Sequence, residues 1–258
     1  MTLAACAALV EAGDPDRHLA TMAAPEGDRA LLWPLYAFNL EIARAPWASD
    51  EPMIAEMRLQ FWRDALDAVA TGAAPPAHEV AVPLSELVHA AALPLEPLRE
   101  MIEARRWDIG RAPFADEAAL LAHLQATSSN LMWLAAQALG APAQAEPVVR
   151  DAGLAAGVAG WLVAVPTLEA RGRVPLVDGR PEGVRALARQ GLAHLSRARA
   201  RRAQLPRRAL PALLAGWRSG ALLSMAARRP ERVGQGALVQ SEFRRRGSLL
   251  LRGLSGLW

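Results

Sequence analysis

The stretch from Leu31 to Val69, LLWPLYAFNLEIARAPWASDEPMIAEMRLQFWRDALDAV, does most to limit what this chain can fold into. Leu31, Leu35, Phe38 and Ile42 recur at helical spacing and define one apolar face. Tyr36, Leu40 and Ala43 follow on a neighbouring face, so the helix is apolar on two sides and belongs in the middle of a bundle. Pro46 then disfavours helix at the residue before it. Ser49 and Asp50 offer N-caps for a second helix, whose expected stripe is Ile54, Met57, Phe61, Ala65 and Ala68, with Arg58 near it.

The remaining sequence points the same way. Ala, Leu, Arg and Glu dominate, β-branched runs are scarce and alternating strand patterns are absent, so the expected class is all-α. Residues 3–12 read as a helix stopped by Gly13, and Asp14-Pro15-Asp16 caps a short helix through Met22. A Pro/Gly turn follows at 72–76, where His78 reads as a turn residue or a ligand. Helices are expected near 84–91 and 96–108, then over 117–139, capped by Asp116 and stopped by Gly140. Within that long helix Thr127, Ser128, Ser129 and Asn130 are unusually polar; they either bond back to the previous turn or line a pocket. From Asp151 a further helix carries Gly153, Ala156, Gly157 and Gly160, small residues that let it approach a neighbour closely. No strand precedes them, so a phosphate-binding loop is not expected. Helices over 181–204 and 209–226 complete the series.

Charge is distributed unevenly. Residues 1–160 hold 10 arginines against 21 acids, a balance of −11, whereas 161–258 hold 19 against 5, a balance of +14. The basic end could face nucleic acid, an anionic membrane or an acidic partner. With a single Tyr and no recognisable reading motif, nucleic acid is not expected. One cysteine, Cys6, excludes an intramolecular disulfide and cysteine-rich metal sites. No basic segment precedes the first apolar run, so no signal peptide is expected. The apolar run 152–168 contains Pro166 and is shorter than the roughly 20 residues of a spanning helix. In the tail, Arg244, Arg245 and Arg246 precede Leu249, Leu250, Leu251, Leu254, Leu257 and Trp258. Such a segment is either a last core helix with a solvated basic edge or one lying in a membrane interface.

Tyr36-Ala37-Phe38, the WRxxL of Trp62, Arg63 and Leu66, the Asp14–Arg17 segment, His78 with Val80, and Gly172-Arg173 before Pro175 together resemble the squalene/phytoene synthase family. The resemblance implies the isoprenoid synthase fold, as a single helical bundle over 1–230 with a basic apolar tail over 231–258, which could pack on the same domain. In catalytic members, two aspartate-rich motifs hold Mg²⁺ against a prenyl diphosphate, and hard cations need oxygen ligands on one face. Here Leu40 stands where the family has Arg, Ala43 and Arg44 replace the paired Asp, and Trp47 falls near the further Asp. In the second motif Val163 and Ala164 replace Arg and Asp, leaving Glu169.

The AFNLEIA and MRLQFW segments are closer to the non-catalytic branch, represented by assembly factor 6 of NADH:ubiquinone oxidoreductase (complex I) and its bacterial relatives. That likeness implies a catalytically silent protein with no metal and no cofactor. Its partners would be respiratory complex subunits or assembly intermediates. A cavity lined by Tyr36, Leu40, Ala43 and Val163 would hold a lipid or isoprenoid, or persist as core, and Arg58, Arg171 and Arg173 are the candidate anion contacts. A cytoplasmic location is expected, with peripheral attachment to the inner face of the cytoplasmic membrane through the tail left open. The alternative is a divergent Mg²⁺-dependent head-to-head prenyltransferase using Glu41, Glu51 or Glu169 with Arg171 and Arg173.

Overall fold

A computed structural model describes residues 2–49, 51–110, 112–256 and 258. Among these residues the chain is helical throughout, with no strand. The helices are α1 (Leu3–Gly13), α2 (Pro15–Met22), α3 (Glu26–Arg44), α4 (Pro52–Thr71), α5 (Ala81–Ala90), α6 (Glu96–Ala104), α7 (Arg106–Ile109) and α8 (Glu117–Leu124). A π-helical turn, Gln125–Ser129, leads into α9 (Asn130–Ala138). Then come α10 (Glu146–Ala170), α11 (Pro181–Ala200), α12 (Leu210–Leu214), α13 (Ser219–Arg228), α14 (Glu231–Gly234) and α15 (Glu242–Ser255).

Local chemistry sets the boundaries. The Asp14 side chain accepts the Arg17 backbone N–H, and Pro15 takes the first helical position, where no amide donor is needed. Asp116 caps α8 through the Ala119 N–H at 2.8 Å. Gly140 ends the α9 segment at φ +84°, a backbone that a side chain would strain.

α3 occupies the centre. Leu32, Leu35, Tyr36, Ala37, Phe38 and Ile42 are each no more than 1% exposed, matching a helix apolar on two sides. In α4 the expected stripe is misplaced. Ala55, Leu59, Trp62, Ala65, Leu66 and Val69 are buried, whereas Ile54 and Met57 are exposed and Phe61 is half-buried. Trp62 sets the rotation, because its ring meets Phe38 edge-on at 5.3 Å and carries the 59/62/66 row inward. The helix begins at Pro52, Ser49 Oγ accepts the Glu51 N–H, and Asp50 lies outside the described residues.

α10 is the other central element, packed against α9, the π-helical turn, α11 and α13. Continued back through Ala143, its 28 residues are long and apolar enough to cross a membrane by length and composition, which the sequence reading did not anticipate. Most of its apolar stretch is buried by the protein itself, and Pro166 is accommodated inside it. Its small residues explain how. A Cβ on Gly153 would lie 2.7 Å from Ser129 Cα, and one on Gly157 would lie 2.9 Å from Ser128 Cβ. The expected helix over 117–139 is therefore one continuous run with a π bulge where α10 crosses it. Three further expectations change. The 96–108 helix splits into α6 and α7, the 209–226 helix breaks at 215–218 into α12 and α13, and Glu169 lies in the last turn of α10 rather than in a loop.

The tail packs on the same bundle. Leu249 and Trp258 are buried, the Arg245 carbonyl accepts the Trp217 indole N–H, and the Trp258 carbonyl accepts from Arg199. Leu257 lies outside the described residues.

Gly153→Ala is expected to lower the unfolding free energy by about 1–3 kcal/mol, because its methyl group meets backbone that cannot move aside. Gly27→Ala, on the exposed first turn of α3 with nothing within 4 Å, is expected to be neutral or to stabilise by up to about 1 kcal/mol. Urea unfolding of the two variants checks the contrast.

Candidate functional site

Between α2, α3, the π-helical turn, α10 and the α12–α13 segment lies a cavity of about 230 Å³. Tyr36, Leu131, Met132, Ala156, Ala159 and Val163 supply its apolar wall. Asp14, Asp16, Arg17 and Arg218 supply a charged one. Arg17 pairs with Asp14 at 3.0 Å, and its guanidinium lies 5.1 Å from the Tyr36 ring centroid, a cation–π arrangement. Asp16 pairs with Arg218 and reaches Arg245 at 3.4 Å. Burial pushes the Tyr36 hydroxyl up to about 12, so it stays neutral. The cavity is thus small against the roughly 300–1,000 Å³ usual for ligand pockets, and its charges are already matched within the protein.

A second cleft, of about 340 Å³, lies where the turn after α3, the start of α4, α7 and the segment following α10 meet. Trp47, Ser49, Pro52, Ile109, Arg171 and Arg173 line it. The Arg171 guanidinium sits 4.4 Å and that of Arg173 5.3 Å from the Trp47 ring centroid. Arg173 also donates to the Asp108 carbonyl, and Arg105 lies 3.6 Å from the Asp108 carboxylate. Burial pushes the Asp108 carboxyl above the usual carboxylate range, against the pull of Arg105, Arg173 and Arg171. Three guanidinium groups around one buried carboxyl repel a divalent cation. Among the described residues no group of three or more His, Cys, Asp or Glu side chains is placed to hold a metal ion.

The family model for squalene/phytoene synthase matches residues 10–177. The chain belongs to that family. It is 28% identical over 170 residues to the Bos taurus protein described as NADH dehydrogenase (ubiquinone) complex I, assembly factor 6, covering 66% of this chain and 51% of that one. The chain therefore spans about half the length of that relative. Among solved structures it is similar to a dehydrosqualene synthase in complex with ligand, with TM-score 0.82, 16% identity and coverage of 99% of this chain and 96% of that one. It is also similar to a squalene synthase from Alicyclobacillus acidocaldarius, with TM-score 0.73, 19% identity and coverage of 91% and 94%. At such identities these likenesses establish the isoprenoid synthase fold.

Set against this family's pattern, the positions of the two aspartate-rich motifs have other occupants. Arg44 reaches back over the end of α1, where a Cβ on Gly13 would lie 2.3 Å from its guanidinium. A cation there complements the helix C-terminus. Trp47 is the platform for two arginines, Val163 faces the cavity and Ala164 packs against the core. These side chains do not fit Mg²⁺, which needs oxygen donors. Of the expected cavity residues, the structure brings Tyr36 and Val163 together; Leu40 and Ala43 do not line the space. Of the expected anion contacts, Arg171 and Arg173 share the Trp47 cleft, whereas Arg58 is exposed on α4 and outside it. Glu41, Glu51 and Glu169 line neither space. The sequence reading missed Asp14, Asp16, Arg17 and Arg218 as cavity residues. The Asp14–Arg17 segment does carry a signal, as a helix cap and as part of the family resemblance, but neither reading places its acids at a cavity.

The polar segment resolves residue by residue. Thr127 Oγ1 donates back to the His123 carbonyl, Ser129 Oγ donates to the Arg150 carbonyl, Asn130 donates to Glu100, and Ser128 lines the cavity. Both anticipated uses are therefore present.

His123 lies in an aromatic cluster with Trp107, Phe114 and Trp161, all within 6 Å between ring centroids. Burial, helped by Arg105, pushes its pKa down to about 3 from 6.5. The unfolded chain then binds a proton that the folded chain refuses, so stability is lost as pH falls from about 6.5 toward 3, by up to about 1.4 kcal/mol per unit. His123→Phe is expected to flatten that slope between about pH 6.5 and 5 in urea titrations. Parallel curves for the two proteins would assign the dependence to another group.

Proposed function

We propose that this chain is a catalytically silent squalene/phytoene synthase-like protein that acts by contact, in the assembly of a membrane-associated NADH:quinone oxidoreductase. One observation carries the reading. The positions of the family's two aspartate-rich motifs hold Ala43, Arg44, Trp47, Val163 and Ala164, and the cleft that Trp47 lines carries Arg171 and Arg173. Ionising a prenyl diphosphate requires positive charge that neutralises the developing pyrophosphate, and divalent metal held by carboxylates supplies it in this chemistry. Fixed arginines on an aromatic face can bind an anion but cannot recruit Mg²⁺.

The cavity supports the same reading. Its matched Arg17–Asp14 and Arg218–Asp16 pairs put charge on the wall of a small space and would be costly to strip of their partners. It therefore serves as core more readily than as an isoprenoid pocket. Likeness to the bovine assembly factor, whose name associates it with complex I, supports the choice of partner. The competing prenyltransferase reading rests on the anion-binding chemistry of Arg171 and Arg173; no acid lines their cleft, and Asp14 and Asp16 of the first cavity are paired with Arg17 and Arg218. No cofactor is part of the proposal, and a cytoplasmic location agrees with it.

Two measurements test it. Purified protein incubated with farnesyl or geranylgeranyl diphosphate and Mg²⁺ is expected to yield no condensed hydrocarbon above the protein-free control. Deletion of the gene is expected to lower NADH:quinone oxidoreductase activity and the amount of assembled complex. A hydrocarbon product, or unchanged assembly, contradicts the proposal.

A further inference from the structure

We infer that the outward face of α15, together with an arginine-lined groove beside its first turn, docks on the headgroup layer of an anionic phospholipid bilayer. This goes beyond the assembly role and does not depend on catalytic silence.

The inner side of α15 is fully engaged. Leu249 is buried, Arg245 reaches Asp16, and the Arg245 carbonyl accepts the Trp217 indole N–H. Ser241 Oγ caps the helix by accepting the Arg244 N–H. The outer side has the opposite character. Phe243, Leu250 and Leu254 follow at spacings of seven and four, which places them on one line of an α-helix, and Leu251 lies beside them. They are 88%, 63%, 79% and 68% exposed. Val239, just before the helix, is also exposed. Arg244 and Arg246 flank the stripe on its two sides, the latter paired with Glu242. A helix held from within, apolar outward and edged by guanidinium groups is suited to lie in a membrane interface, with arginine stems along the acyl boundary and charged ends among the phosphates.

The second observation is the groove. Arg228, Arg229, Arg232 and Arg244 line a space of about 610 Å³ with Ser224, Gln240 and Ser241, and no acid is among the lining residues. Val239 and Arg244 belong both to this groove and to the borders of the apolar face. Phosphate-binding and hydrocarbon-binding surfaces are therefore continuous, as one phospholipid presents them. Charge also decides between occupants. A second copy of the chain meeting this face would set one arginine-rich rim against another, whereas an acidic lipid surface neutralises both the rim and the groove.

Co-sedimentation of the full-length protein with vesicles tests the inference. Vesicles of phosphatidylcholine mixed with phosphatidylglycerol are expected to bind it at least about tenfold more tightly than phosphatidylcholine alone, and raised salt should weaken the binding. The F243S/L250S/L254S variant, altered only at exposed positions, should keep its melting temperature and lose at least about tenfold in vesicle affinity. Arg228→Gln with Arg229→Gln should lower binding to the anionic vesicles several-fold while leaving the weak binding to phosphatidylcholine unchanged. Failure to bind anionic vesicles, or equal binding by the serine variant, overturns the inference. So does a stable dimer that the serine substitutions dissolve, since a second copy would then cover the face. Prenyl diphosphate turnover leaves these outcomes untouched, so the two proposals fail separately.

Discussion

The contact on which the bundle depends is the near-backbone approach of α10 to the π-helical turn. Gly153 and Gly157 bring one helix against Ser129 and Ser128 of the other with no side chain between them on the α10 side. Close packing of this kind strengthens dispersion contacts and leaves no void. It also fixes the polar groups. The Ser129 hydroxyl is delivered to the Arg150 carbonyl, and Arg150 in turn donates to Asn130 and Glu146. A long apolar helix that could pass for a membrane span by composition is thereby committed to the interior of the bundle. Its remaining small residues, Ala156, Ala159 and Gly160, become the wall of the cavity.

Around that scaffold the electrostatics are inverted relative to what the family's chemistry requires. Where carboxylates on facing helices would gather cations, this chain stacks Arg171 and Arg173 on Trp47 and buries Arg105 beside Asp108. The replacements have structural uses. Arg44 closes over the end of α1, and Trp47 gives two guanidinium groups a polarizable face.

Periodicity made α3 legible, since its apolar rows are long enough that rotating the helix by one residue would still bury most of them. The same method misplaced α4. There Ile54/Met57/Phe61 and Leu59/Trp62/Leu66 are both plausible rows, and long-range contacts such as that of Trp62 with Phe38 turn the second inward. The small-residue pattern at Gly153 and Gly157 forecast a close approach without naming its partner, because spacing carries no long-range information. The missing carboxylates were equally visible in the sequence. The composition of the cavity was not, since Asp16 and Arg218 are 202 residues apart and meet only once α2 and α13 are in place.

Asp16 also joins the interior to the outer helix. Its carboxylate faces Arg218 at the cavity wall and Arg245 on the inner side of α15, so one half-buried anion holds two arginines that would otherwise repel. Removing it would take from Arg218 its carboxylate, while Arg245 would keep Glu242 at 3.2 Å. The Asp16 pair and the burial of Leu249 together set the rotation of α15. With Arg245 and Leu249 held inward, the helical period forces Phe243, Leu250 and Leu254 to the opposite side, where the bundle offers them nothing to pack against. The exposed apolar stripe is therefore the geometric consequence of Arg245 and Leu249 being held against the bundle, and Asp16 links the cavity wall to the helix that carries the stripe.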